Sequence, residues 1–136
     1  MKLEVIIEQG DGELWGRIEN KGFMPATVGS SVKEVLDNLK MLIDDHILHE
    51  GKEDVFWKKV NTENIHFDIL YDLQAFFEEF SELKISSIAE RAGLNPSLVR
   101  QYATGNKYPS AQQAKKIEDA LHGLGKKLQQ VAIYAS

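Results

Sequence analysis

The chain contains no cysteine. Disulfides and thiolate-ligated metal sites are therefore excluded. There is no Walker-type phosphate loop, no G-x-G-x-x-G run and no serine–histidine–aspartate arrangement. The first ten residues, MKLEVIIEQG, include acids and no long apolar run. They read as neither a secretory signal nor a membrane span, and the expected location is the cytoplasm, with no membrane partner. At 136 residues, with 43% hydrophobic and 27% charged residues, the composition is that of one ordinary or two small globular domains.

What is present is unevenly distributed. Residues 84–136 hold eight Lys or Arg and three acids; residues 1–83 hold eight bases and 18 acids. The net charges are +5 and −10. The plain reading is two solvated faces, and the sharper one is two parts with different partners.

The patterns divide at about the same place. Residues 2–8 alternate, with Leu3, Val5 and Ile7 on one side. Gly-Asp-Gly at 10–12 is turn chemistry, and residues 13–19 alternate again, so a hairpin is expected. A short third strand is expected over 23–28, at an edge or bulge because of Pro25. The period then becomes helical: Val32, Val35, Leu36, Leu39, Leu42, Ile43 and Ile47 share a stripe. Ser31 and Glu34 are spaced as a capping box, and the helix should stop near Gly51. A short helix within 52–60 and a fourth strand over 64–71 complete a β-β-β-α-β order. From Asp72 the pattern is helical, with further helices expected at 85–92, 95–104 and 110–122. Residues 126–134 fit either a helix or a short strand. The expected fold class is α+β, with one part over 1–71 and an all-α part over 72–136.

The stretch IAERAGLNPSLVRQYATG, from Ile88 to Gly105, carries the most information. Ala89 lets two helices cross closely, Gly93 makes a turn, and Asn95 with Pro96 is suited to start a second helix. At about 100° per residue, Leu98, Val99 and Tyr102 point inward. Asn95, Pro96, Ser97, Arg100 and Gln101 form the opposite front. Arg can grip guanine through two hydrogen bonds, and Asn or Gln can grip adenine in the same way. The face is suited to reading base edges in the major groove. Ser86, Ser87, Thr104, Asn106, Lys107 and Tyr108 are suited to phosphates. The alternative is a helical module that binds no DNA.

Over residues 72–122 the chain resembles the phage-repressor (Cro-like, XRE-type) helix–turn–helix, at Ala89, Gly93, Val99, Gly105 and Pro109. The first half resembles the HicB family of antitoxins. The matching stretches are LEVIIEQGDGELWGRI as the opening hairpin and GSSVKEVLDNLKMLI as the step into the helix. FDILYDLQAFFEEF joins the two halves, and KGFMPATVG stands where that family usually has a Pro-Gly-Cys-like element.

The resemblance implies a degenerate ribonuclease-H-like first domain that neutralises a HicA-like ribonuclease toxin. It also implies a second domain that represses its own operon, acting as a homodimer or higher homo-oligomer on double-stranded DNA. Neither role is enzymatic or needs a cofactor. The alternatives are a stand-alone regulator whose first domain senses a ligand or dimerises, and an enzyme built on strand acids such as Glu4, Asp11 and Asp68. His46 and His49 have metal-ligand spacing, but His46 also falls on the apolar stripe and no third ligand is evident.

Overall fold

The computed structural model describes residues 2–20, 22–50 and 53–135. The chain divides into two compact units, Met1–Glu79 and Phe80–Ser136. By packing, the division falls several residues after the change of period at Asp72. Unit 1 carries 8 basic and 17 acidic residues, and unit 2 carries 8 and 4.

Unit 1 is a four-stranded mixed sheet with one long helix against it. Strands β1 (Lys2–Gly10) and β2 (Glu13–Arg17) form the expected hairpin, turned by Asp11 and Gly12, both at positive φ. Strand β3 (Ala26–Gly29) pairs antiparallel with β2. Strand β4 (His66–Tyr71) returns parallel to β1, giving the order β3-β2-β1-β4. A parallel neighbour requires a crossover, and helix α1 (Val32–His49) supplies it.

The pleat sends Leu3, Val5, Ile7 and Leu14 to one face, where Val35, Leu39 and Ile43 of α1 meet them. Gly16 lies directly beneath that helix. A Cβ there would overlap Val35 Cγ1 and stand 3.1 Å from Ile7 Cδ1. The absent side chain sets how closely α1 approaches the sheet.

Several local details differ from the sequence reading. The third strand begins at Ala26, not near 23, because Phe23 leaves the sheet and stacks on His46 at a centroid distance of 3.9 Å. Ser31 caps α1 as expected, accepting from Glu34 N–H at 3.1 Å. The reciprocal half of the box is shifted by one residue: Glu34 Oε2 accepts from the N–H and hydroxyl of Ser30, at 3.2 and 2.7 Å. Those two donors hold the Glu34 carboxyl below its usual range. Leu42, assigned to the inner stripe, is exposed. Helix α1 ends at His49, and the expected stop, Gly51, lies outside the described residues.

The short helix expected within 52–60 is a 3₁₀ turn over Trp57–Lys59, followed by another over Thr62–Asn64. Helix α2 (Leu73–Glu79) completes unit 1. Asp72 anchors it at both ends of the residue. Its N–H donates to Ile7 C=O at 2.9 Å, and its carboxylate accepts from Ala75 N–H at 2.8 Å.

Unit 2 contains α3 (Ile85–Ala92), α4 (Pro96–Ala103) and α5 (Ala111–Gln129). Ile88, Ala89, Val99, Tyr102, Ile117 and Ala120 are its buried residues. Helix α5 runs past the expected end at 122, through Gly123 and Gly125. Residues 131–135 form neither helix nor strand. Among the described residues, no helix is long and apolar enough to cross a membrane.

Candidate nucleic-acid interface

Helix α3 ends on Gly93, in the left-handed conformation at φ 72° and ψ 28°. An L-residue with a side chain is strained there, whereas glycine is not. Gly93 and Leu94 N–H groups donate back to Glu90 and Ala89 carbonyls at 3.0 and 2.9 Å, closing the helix end. Asn95 then starts α4, accepting from Ser97 N–H through Oδ1 at 2.8 Å, with Pro96 in the first turn. Two helices joined by a tight turn therefore arise where the sequence pattern puts them.

The inward side of α4 is Val99, fully buried, and Tyr102, nearly so. Tyr102 Oη donates to Gln113 Oε1 at 2.6 Å, which links α4 to α5. Leu98, assigned to the core, is half-buried. The outward side presents Asn95, Ser97 and Arg100 as exposed residues, with Pro96 and Gln101 half-buried at its margins. The cap adds a constraint that residue spacing does not carry. Asn95 Oδ1 already accepts from Ser97 N–H, so a two-ended grip on adenine would have to use the oxygen's second lone pair in the orientation the cap imposes.

The segment after α4 is folded back on the helix. Gln101 C=O accepts from the N–H groups of Asn106 and Lys107 at 3.0 and 3.2 Å, and from Thr104 Oγ1 at 3.2 Å. Gly105 permits this at φ 80°. The turn leaves Thr104, Asn106, Lys107 and Tyr108 exposed, Tyr108 at 80%. At the start of α3, Lys84 occupies the cap position without a side-chain hydrogen bond to the helix. Ser87 is exposed there and Ser86 half-buried. Uncapped N-terminal amides with a serine beside them suit an anion.

Gln113 had no role in the sequence reading. Its spacing from Ser110 is that of a capping box, the one signal available. Ser110 does cap α5 through Gln113 N–H at 3.2 Å, but the Gln113 side chain goes to Tyr102.

The other candidates are dispersed. Among the described residues, no group of three or more His, Asp or Glu side chains could hold a metal ion. His46 stacks on Phe23 and meets Trp57 edge-on, with Nε2 3.2 Å from Asp54 Oδ2 and Nδ1 3.6 Å from Glu50. His49 faces Asp45 instead, at 3.3 Å. Glu4 and Asp68 are register partners on neighbouring strands, and Asp11 sits in the hairpin turn. Comparison of the chain with protein-family models, with curated proteins and with solved structures returned no significant match.

Proposed function

We propose that the protein is a two-part antitoxin of the HicB type, in which unit 2 binds operator DNA and unit 1 neutralises a HicA-like ribonuclease. The observation that carries the reading is the α3–turn–α4 unit. It presents Ser97 and Arg100 outward on a helix whose opposite side is buried through Val99 and Tyr102. Arg100 is the residue best suited to a guanine edge, and Gln101 and Ser97 support it from the same front. Asn95 and Pro96 position the helix start. Lys107, Asn106, Tyr108 and Thr104 on one flank, with Ser86 and Ser87 at the start of α3, attach to phosphates.

The charge distribution supports the division of labour. Unit 2 has an excess of four positive charges and unit 1 an excess of nine negative charges. A polyanion favours the first, and the basic active face of a ribonuclease favours the second. On this reading the protein is not catalytic, requires no cofactor and acts in the cytoplasm. It binds DNA as a homodimer, because one helix reads only a few base pairs and two half-sites one helical turn apart supply the rest. Leu128, Val131, Ile133 and Tyr134, all exposed in the single chain, supply apolar surface for that pairing.

The test has two arms. DNA from upstream of the gene should shift in a gel with the protein and should shift less as salt rises. The product of the adjacent reading frame, co-expressed, should co-purify with the protein and lose its ribonuclease activity. DNA binding without such a partner would leave a stand-alone regulator.

A further inference from the structure

The sheet of unit 1 has a second face, opposite α1, and its residues form a pattern. Register pairing places Trp15 between Glu8 and Val28, and Ile6 between Arg17 and Leu70, in adjoining rows. Glu4 and Asp68 form the next row. Each of the four strands therefore contributes one apolar residue to these two rows, Ile6 and Trp15 meeting diagonally beside the Glu8–Arg17 ion pair. Trp15 is 45% exposed and Leu70 47%, with Ile6 and Val28 half-buried between them.

Glu4, Glu8, Glu13 and Asp68 surround these apolar residues. Of the two Lys or Arg residues on the face, Arg17 is already held by Glu8 and, at 3.2 Å, by Glu19, and Lys2 is exposed at the start of β1. Trp15 is also fixed in place. Its indole N–H donates to Gly10 C=O at 3.1 Å, and a Cβ at Gly10 would stand 3.5 Å from that nitrogen. A large aromatic side chain that is exposed yet held in one orientation loses little entropy on being covered.

We infer that this face, centred on Trp15, Ile6 and Leu70, is the docking surface for a protein whose apposed face has an apolar centre and a basic rim. The inference rests on the antitoxin reading and names the side of unit 1 that meets the partner. Charge complementarity selects the occupant. An acidic rim on a unit of net charge −9 attracts a basic protein and repels a second copy of itself.

The experiment uses the full chain and the purified product of the adjacent reading frame. Titration calorimetry compares wild type with Trp15→Ala, Glu4→Lys and Glu63→Lys, the last on a 3₁₀ turn after α1. Trp15→Ala should weaken binding on the order of 30-fold, as for a central anchor. Glu4→Lys should weaken it well beyond Glu63→Lys, which makes the same change in net charge elsewhere. Glu4 is solvated, so Glu4→Lys keeps the test valid if Trp15→Ala loosens the hairpin. A wild-type protein that fails to bind overturns the antitoxin reading and the docking assignment with it. Wild-type binding that survives both Trp15→Ala and Glu4→Lys, or that falls equally with Glu4→Lys and Glu63→Lys, overturns the docking assignment alone.

Discussion

Tyr102 and Gln113 are joined by a 2.6 Å hydrogen bond between side chains that are buried and half-buried, one on α4 and the other on α5. The bond ties α4 to α5 on the side opposite exposed Arg100, where Val99 is also buried. Removing one partner leaves a buried polar atom unsatisfied, whereas removing both does not. Gln113→Ala should therefore destabilise the protein by about 1–3 kcal/mol, and adding Tyr102→Phe should recover part of that loss. Chemical denaturation of the two variants and the double mutant checks this. A double mutant that loses the full sum of the single losses would mean the bond has no energetic weight.

Gly16 lies on the sheet of unit 1 directly against α1. A methyl group there would overlap Val35 Cγ1 across the interface. Gly16→Ala should cost about 1–3 kcal/mol, the usual range for overpacking a filled core. Adding Val35→Ala should relieve much of it by vacating the same space. Thermal unfolding of the pair checks this, and a Gly16→Ala protein as stable as wild type would show that α1 moves away freely.

Asp54 links stability to pH. Trp57 N–H is the main group holding its carboxyl below the usual range, against opposing desolvation, and His46 and Phe56 N–H assist. Because the folded-state value is depressed, the stabilisation is present above the unfolded carboxyl's pKa. It is lost as pH falls through the lower folded value, from about pH 5 downward. The advantage of wild type over Asp54→Asn should therefore be largest near neutrality and should shrink in acid. Urea midpoints of both proteins across that range check this; a gap independent of pH would contradict it.

The α3–turn–α4 unit was legible because its signals are local. Gly93 makes a left-handed turn, Asn95 and Pro96 start a helix, and the 3.6-residue period places Val99 and Tyr102 inside. The strands of unit 1 were legible from period-two alternation for the same reason. What escaped depends on residues distant in the chain. Phe23 continues an apparent strand in the sequence but is drawn away to stack on His46 and to meet Trp57 edge-on. The extension of α5 defied local propensity, since two glycines cost about 1 kcal/mol each in a helix. Gly125 meets nothing nearby and Gly123 lies near Arg91 of α3. Asn95 caps α4 through Oδ1, as its type and position predict. Alternation alone puts Ile6 and Trp15 on the outward sides of their strands; the register adds Leu70 beside Ile6 and sets Trp15 in the adjoining row.

The most direct test of the central claim is an anisotropy titration of upstream operator DNA with wild type, Arg100→Ala and Lys107→Ala, each verified as folded by circular dichroism. Arg100 and Lys107 are exposed, so neither change disturbs the core. Arg100→Ala should lose about 1–3 kcal/mol of specific binding and relax the base preference at one operator position. Lys107→Ala should weaken binding to all sequences alike and reduce its salt dependence. Arg100→Ala should leave partner binding by unit 1 intact. An Arg100→Ala protein with unchanged affinity and unchanged base preference would contradict the assignment of α4 as the reading helix.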